Sequence, residues 1–251
     1  FLSVILRVAV YYFLTRISFS TGADICKDVM SNVIFRPYLD HKDENTSEVL
    51  AGIINKSNTV IYAVIVPILL IMSSVSVLLL FLSVLFLVSA SATIAIGFIT
   101  IALYSLLVYL SNLKLTSNSE LIAKNQTLSI KSVQEALGSI RNLIMDGTGN
   151  FFHKRFAIAD EITRYAQGTN MFIGASPKYI VEGFGIIIIA VLAFNFLESS
   201  YSETIIPILG LYALAAQKLL PISQLVYGSV TQIIGARESL IDILNFLKPQ
   251  K

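Results

Sequence analysis

One long stretch of the chain, between Lys56 and Lys114, contains no charged side chain. As a single helix its 57 residues would be about 85 Å long, whereas the hydrocarbon core of a bilayer is about 30 Å thick. The stretch therefore predicts two membrane-spanning helices joined by a tight turn. The small residues from Ser89 to Thr93 are the best place for that turn. Pro67 is expected to kink the first helix, which a membrane helix tolerates when its neighbours satisfy the freed backbone.

A second apolar block, residues 171–232, is broken only by the short polar stretch from Glu198 to Glu203. It predicts another pair of spans with a short reversal between them. Near the start, residues 2–19 are long enough for one more span, although two arginines interrupt them. The pattern predicts an all-α integral membrane protein with five visible spans, over about 1–20, 59–87, 93–111, 171–197 and 204–232.

Composition supports this class by excluding others. The chain is 55% hydrophobic and 14% charged, with a mean hydropathy of +0.75, whereas a soluble domain has roughly 25% charged residues. The high hydrophobicity also argues against a disordered chain. A formal net charge of +2 gives no strong field for nucleic acid, so we expect no such partner. Cys26 has no second Cys or nearby His, so neither a disulfide nor a metal site is expected.

The basic residues are distributed unevenly among the predicted connections. The segments 22–58 and 112–170 and the tail after residue 232 together contain 14 Lys and Arg, and the two short reversals contain none. Cytoplasmic loops of membrane proteins carry an excess of Lys and Arg. The long segments are therefore predicted to be cytoplasmic, and both tight turns external.

The segment 112–170 is too long to be a bare loop. Between Glu120 and Met145 apolar residues recur at helical spacing with charged residues between them, which predicts an amphipathic helix continuing the span before it. The stretch from Asp146 to Asn150 contains two Gly and turn-forming neighbours, so it should end that helix. A further helix over about 151–167 leads back towards the membrane.

The segment 22–58 follows the same plan on a smaller scale. A helix over 23–36 continues the first span and should end before Pro37, because the residue preceding a proline is pushed out of the helical region. After an elbow at 40–44, Asn45-Thr-Ser-Glu48 resembles a capping box and predicts a new helix start. Two long helical hairpins thus project into the cytoplasm, where they could act as levers. The alternative is that they are solvated connections with no partner.

Four short stretches along this topology resemble the transmembrane domain of type I (B-family) ATP-binding-cassette exporters. Phe35-Arg-Pro-Tyr-Leu-Asp40 followed by Thr46-Ser-Glu-Val-Leu is similar to the first coupling loop of that family. Glu135-Ala-Leu-Gly-Ser-Ile-Arg141 with Phe151-Phe-His-Lys-Arg-Phe156 is similar to the second. The order and spacing of these stretches carry the resemblance, which covers the whole chain.

The resemblance implies a six-helix transmembrane domain whose first span is missing here, in a multi-pass protein of the bacterial inner membrane. It places coupling loops at about 36–48 and 141–156, which dock on a nucleotide-binding domain, fused or separate, that is absent from this chain. ATP and Mg²⁺ are expected on that domain, with no cofactor in this piece. The other implied partners are membrane lipid and a second transmembrane domain, as a homodimer. The residues expected to couple to the ATPase are Asp40, Glu44, Thr46, Asp146, Gly147, Gly149, Phe151 and Phe152.

Two further stretches resemble the branch of the family that moves lipid-linked oligosaccharide, polysaccharide or glycolipid. They are Ser176-Pro-Lys-Tyr-Ile-Val-Glu182 and Tyr212-Ala-Leu-Ala-Ala-Gln-Lys-Leu-Leu-Pro221. Lys178 and Lys218 stand where that branch commonly has Arg, so the charge is kept but the bidentate geometry for phosphate is not. The chain begins inside an apolar stretch without an initiator Met, and we expect it to be a piece of a longer protein.

Ionisable residues within the predicted spans mark a candidate substrate cavity, because such groups are costly in a membrane. Glu182 and Lys218 lie at similar depths, so we expect them to face the bundle interior and to pair, with Lys178 at the i, i+4 position from Glu182. An excess of positive charge there would attract an anionic head group such as a pyrophosphate. The alternative is that these groups snorkel or hold helices together. The candidate cavity residues are Arg7, Arg16, Lys178, Glu182 and Lys218.

The chain contains no Gly-x-x-x-x-Gly-Lys-Ser/Thr phosphate-binding loop, so it does not hydrolyse ATP by itself. The leading hypothesis is the membrane half of an ATP-driven exporter or flippase for a lipid-linked or amphiphilic substrate. A secondary transporter or channel with an intramembrane charged pathway is the alternative, although no inverted repeat is visible. A membrane scaffold or receptor is the third hypothesis.

Overall fold

A computed structural model describes residues 2–35, 37, 46–88, 90–197 and 202–247. Nearly all of these residues are helical and none of them forms a strand, which confirms the all-α prediction. Two π-helical turns, Gly52–Lys56 and Ile61–Ile65, lie in the second arm of the first hairpin. The α-helices of the described part are α1 (Leu2–Ile34), α2 (Thr46–Ala51), α3 (Ser57–Val60), α4 (Val66–Val88), α5 (Ala90–Gly138), α6 (Ile140–Asp146), α7 (Gly149–Leu197), α8 (Ser202–Gly235) and α9 (Arg237–Leu247).

Most of the predicted helix boundaries that fall on described residues agree with these elements. The helix α4 ends at Val88 and α5 begins at Ala90, inside the stretch of small residues expected to form a turn. The helix α1 continues to Ile34 and stops before Pro37, as the restriction on residues preceding proline requires. The predicted amphipathic continuation is confirmed as far as Gly138, because α5 is one unbroken helix of 49 residues. The expected helix up to Met145 is interrupted at Ser139, whose backbone is not helical, and α6 follows it as a separate helix.

One helical run in the described part of the chain, Ser47–Leu87, is long and apolar enough to cross a membrane. Its most apolar window has a mean hydropathy of 2.8. A second candidate is the bent pair Gln217–Gly235 and Arg237–Leu247, whose two helices meet at 57°. The first run contains the predicted span 59–87. The other four spans stay predictions.

The chain divides into two compact units. The first contains Phe1–Leu69, Asn112–Met171 and Thr231–Lys251, and the second contains Leu70–Ser111 and Phe172–Val230. In the second unit, the buried side chains of Leu85 and Leu219 pack with their apolar neighbours on α4.

The core of the first unit is built where α1, α3 and the second π-turn meet α9. Buried Val29, Val60, Val64, Ala236 and Ile243 form one apolar cluster. The helix α9 differs from the prediction, in which the residues after 232 form only a basic tail. A signal was present, because Leu240, Ile243, Leu244 and Leu247 recur at the spacing of one helical face.

Polar contacts hold α9 at both ends of this core. The Nζ of Lys56 lies 2.6 Å from Oδ2 of Asp242, and the Lys56 side chain is only 4% exposed. The Nδ2 of Asn32 donates to the carbonyls of Phe246 and Leu247 at 3.4 and 3.3 Å, two groups that a helix end leaves without an internal partner. Gly52 allows the Phe246 ring to approach closely, since a Cβ there would lie 2.6 Å from the ring.

The two π-turns change the direction of side chains along the run from α2 to α4. In each turn the following amide donates to the carbonyl five residues back: Ser57 to Gly52, and Val66 to Ile61. The second turn ends two residues before Pro67, which has no amide hydrogen to donate. The irregularity expected at this proline is therefore a π-turn, within a run that still qualifies as one continuous helix from Ser47 to Leu87.

Candidate functional site

Two of the charged residues predicted for the substrate cavity, Lys178 and Glu182, line one small pocket in the second unit. Both lie on α7, one turn apart, and Tyr104 of α5 and Gln224 of α8 contribute to the same pocket. Its remaining lining residues are Val181, Leu220 and Pro221. The structure thus places the predicted i, i+4 pair beside aromatic and amide groups that the sequence analysis did not single out.

The backbone beside this pocket is interrupted by Pro177, which lies inside α7. A proline has no amide hydrogen, so the carbonyl four residues earlier, that of Ile173, loses its helical donor. The Tyr227 hydroxyl of α8 donates to that carbonyl at 3.2 Å. The Gln224 amide donates to the next carbonyl, that of Gly174, at 2.8 Å. Two side chains one turn apart on α8 therefore satisfy the backbone at the proline.

This arrangement fixes α7 against α8 just before the charged pair. The backbones are close here, since a Cβ at Gly228 would make an ordinary van der Waals contact with the Gly174 carbonyl oxygen, at 3.8 Å. The rings of Tyr104 and Tyr227 lie 5.6 Å apart, which brings α5 to the same point. Lys178 and Glu182 thus project from a helix whose irregular segment is held on two sides.

The predicted pairing of Glu182 with Lys218 is not observed. Lys178, Glu182 and Lys218 are all exposed, and no ion pair of the described residues joins Glu182 to either lysine. Lys218 also lies outside the set of residues lining the pocket. Equal depth in the sequence sets only the height of these groups along their helices. Whether two side chains meet also depends on helix rotation, which sequence position alone does not give.

The two arginines of the predicted cavity lie on α1, in the first unit. Arg16 is exposed. The backbone of Arg7 is helical, but its side chain lies outside the described part of the structure. Their role as cavity residues stays a prediction.

The residues predicted to couple to an ATPase fall into a described group and an undescribed one. Asp40 and Glu44 lie outside the described residues, and Thr46 begins α2 with only its backbone described. The other five lie where α6 meets α7: Asp146 ends α6, Gly147 follows it, and Gly149, Phe151 and Phe152 are in the first turn of α7. Gly147 has φ of 65°, a left-handed conformation that favours glycine and ends α6.

Two aromatic rings and an ion pair characterise the tip of this hairpin. Phe151 is 63% exposed, and its ring meets that of Phe152 edge to face at 5.3 Å. Just behind the tip, Arg155 of α7 lies 2.5 Å from the Glu135 carboxylate of α5, which joins the two arms. The tip of the braced hairpin thus carries one exposed ring, Phe151, on a partly buried one, Phe152.

No protein-family model matches this chain, and no curated protein matches it. No group of three or more His, Cys, Asp or Glu among the described residues is placed to hold a metal ion.

A double-mutant cycle measures how much the hydrogen bond from the Tyr227 hydroxyl to the Ile173 carbonyl contributes to stability. We expect Tyr227→Phe to lower the free energy of unfolding by about 1 kcal/mol, because it leaves the Ile173 carbonyl without its donor. In a Pro177→Ala background the backbone amide of residue 177 can donate to the Ile173 carbonyl. Tyr227→Phe should then lower the free energy of unfolding by less. Thermal unfolding in lipid nanodiscs measures both. Equal costs in the two backgrounds would show that the hydroxyl does not compensate for the proline.

Proposed function

We propose that this chain is the transmembrane half of an ATP-driven exporter or flippase that moves a lipid-linked or amphiphilic substrate by alternating access. The observation that carries the proposal is the length of the helices that form the second hairpin. The helices α5 and α7 have 49 residues each, or about 74 Å at 1.5 Å per residue. A bilayer core of about 30 Å uses less than half of that length.

Helices of this length are suited to carrying a displacement from a partner into the membrane. The turn between α6 and α7 presents exposed Phe151 at the tip, and the contact between Arg155 and Glu135 braces the arms. In this proposal, closure of ATP-bound nucleotide-binding domains pushes on the tips and tilts the spans from inward-open to outward-open. Two such chains pair as a homodimer in the bacterial inner membrane, and ATP and Mg²⁺ bind to the ATPase domains.

In this proposal cargo recognition lies at the surface around Lys178 and Glu182, because the pocket beside them, at about 10 Å³, has room for no more than a water molecule. Lys178 and Glu182 project from a fixed segment of α7 next to Tyr104 and Gln224. With Arg7, Arg16 and Lys218 the predicted cavity has four positive groups and one negative group. That balance suits an anionic head group such as the pyrophosphate of a lipid-linked oligosaccharide or a glycolipid.

Cross-linking from the hairpin tip tests the docking step. Cys26 is the only cysteine of the chain, so a Cys26→Ser background carrying Phe151→Cys reports on this position alone. We expect a cross-link in native membranes to an ATP-binding polypeptide or domain, identified by mass spectrometry, whose yield changes when ATP is added.

Tyr165→Cys is the matched control, because Tyr165 lies on the same helix, is 76% exposed and is remote from the tip. It should give no such product. Cross-links at position 151 only to lipid or to polypeptides that bind no ATP would contradict the proposal.

A further inference from the structure

The first unit contains a second cavity, which none of the predicted transport residues lines. It has a volume of about 430 Å³ and lies between α2 with the first π-turn, the C-terminal part of α5 and the N-terminal part of α7. Pockets of roughly 300–1,000 Å³ are the usual size for drug-sized ligands. A space of this volume is much larger than one water molecule requires.

The floor of this cavity is polar and uncharged. The Oε1 of Gln126 and the Oγ of Ser129 are buried without a hydrogen-bond partner among the described residues, and both residues line the cavity. They lie one turn apart on α5, so they are on the same helical face. Buried polar atoms are nearly always paired in folded proteins, so two orphans facing one cavity indicate that something else supplies the partner.

The cavity gives no counter-ion to a charged ligand. Its only charged lining residues are Asp160 and Arg164, which pair with each other at 3.3 Å on one face of α7. Burying an unpaired charge on the floor would be costly, whereas a neutral hydroxyl or amide would lose little once hydrogen-bonded.

Three of the more exposed lining residues are apolar. Ile54, Val133 and Phe156 are 51%, 41% and 38% exposed, and they lie beside the exposed Arg164 of the ion pair. They come from three different segments, so an apolar chain lying across the opening would contact all three. Removing such apolar surface from water supplies the driving force for binding.

We propose that this cavity binds an uncharged amphiphile, with a hydroxyl or amide head group on Gln126 and Ser129 and an apolar chain against Ile54, Val133 and Phe156. A long-chain alcohol is the simplest member of this class. The head group donates to Oε1 of Gln126 and exchanges a hydrogen bond with Oγ of Ser129. The site belongs to the first unit alone and does not depend on the proposed transport function.

The chain has no tryptophan, so a single introduced tryptophan reports binding without background from other indoles. We expect the fluorescence of Phe156→Trp, in the full chain in lipid nanodiscs, to be quenched saturably by undecanol carrying bromine at its far end. Tyr165→Trp is the matched control, because Tyr165 is on the same helix but does not line the cavity. It should show only the weak, linear quenching that follows from partitioning of the probe into lipid.

The polar floor is tested by Gln126→Leu combined with Ser129→Ala in the Phe156→Trp protein. Loss of two hydrogen bonds should weaken binding of the bromo-alcohol about ten-fold or more. The corresponding bromoalkane, which lacks the hydroxyl, should bind equally weakly to both forms. Unchanged affinity in the floor variant would overturn the assignment of the head group.

Two other outcomes would also overturn the proposal. Equal, unsaturable quenching at positions 156 and 165 would mean that the probe only partitions into lipid, or that a protein segment fills the cavity. Tighter binding of the corresponding bromo-carboxylate than of the bromo-alcohol would show that the site selects an anion. Matching elution profiles and melting temperatures of the variants establish that each is folded.

Discussion

Asp242→Ala is expected to lower the free energy of unfolding by about 3 kcal/mol, the low end of the cost of removing one partner from a buried ion pair. The low end applies because the Asp242 side chain is 29% exposed, while that of Lys56 is 4% exposed. Without the carboxylate, the ammonium group stays in an apolar cluster with no counter-ion. The helix α9 should therefore detach from α1 and the first π-turn.

Hydrogen exchange of the α9 amides measures this effect locally. If α9 opens as a unit, a loss of about 3 kcal/mol raises its exchange rates on the order of 100-fold. Asp160→Ala is the matched control, because Asp160 pairs with an Arg164 side chain that is 72% exposed. Such surface pairs contribute roughly 0–1 kcal/mol, so exchange in α9 should not change.

A double replacement separates the charge from the packing. Lys56→Met with Asp242→Leu removes both charges and keeps apolar volume, so the double variant should be near the parent in stability. If Asp242→Ala alone had no effect on α9 exchange, the ion pair would not be what holds this helix. If the double variant were as unstable as Asp242→Ala, the loss of stability would come from altered side-chain packing and not from an unpaired charge.

Replacing both Arg16 and Lys218 with glutamine is expected to reduce ATP-driven transport of an anionic lipid by about 100-fold or more. Each hydrogen bond to a charged group contributes about 1.5–3 kcal/mol, and this expectation rests on the proposed function. Both side chains are exposed in the chain, so their neutralisation leaves no buried partner unpaired and the variant should assemble normally. Flipping of a fluorescent lipid-linked pyrophosphate in vesicles provides the measurement.

Lys124→Gln is the control for this experiment, because Lys124 is exposed on α5 beyond the predicted span. It should transport at the parental rate. Unchanged transport in the double variant, with equal protein in the vesicles, would mean that these cations do not meet the cargo.

The sequence predicted the helices well, because its strongest signals are local. Each signal is read from a short stretch of chain. The turn-forming residues from Asp146 to Asn150 and Pro37 end the helices beside them, and the long uncharged stretch must reverse at its small residues. The helix ends at Ile34, Val88 and Asp146 follow directly from those signals. Local steric rules of this kind do not depend on knowing what a helix packs against.

Features that depend on two distant segments were not predicted. The bond from Tyr227 to the Ile173 carbonyl joins residues 54 positions apart, and the pair of Lys56 with Asp242 joins residues 186 positions apart. Neither a tyrosine at 227 nor a lysine at 56 is unusual for its position in the sequence. A hydropathy scale gives a lysine the same value whether its side chain is buried or exposed. Only the rotation of each helix about its axis decides such contacts, as the absent pairing of Glu182 with Lys218 also shows.

The two π-turns have a consequence for comparing this chain with any relatives. Each turn holds one residue more than an α-helical turn, so losing a single residue there would turn the π-turn into an ordinary α-turn without ending the helix. Relatives could thus differ in length inside this helix, where gaps are usually forbidden in an alignment. A gap-free alignment would then shift the position matching Lys56 by one residue, about 100° around the helix axis. The counterpart of its contact with Asp242 would be lost from the comparison although the fold still contained it.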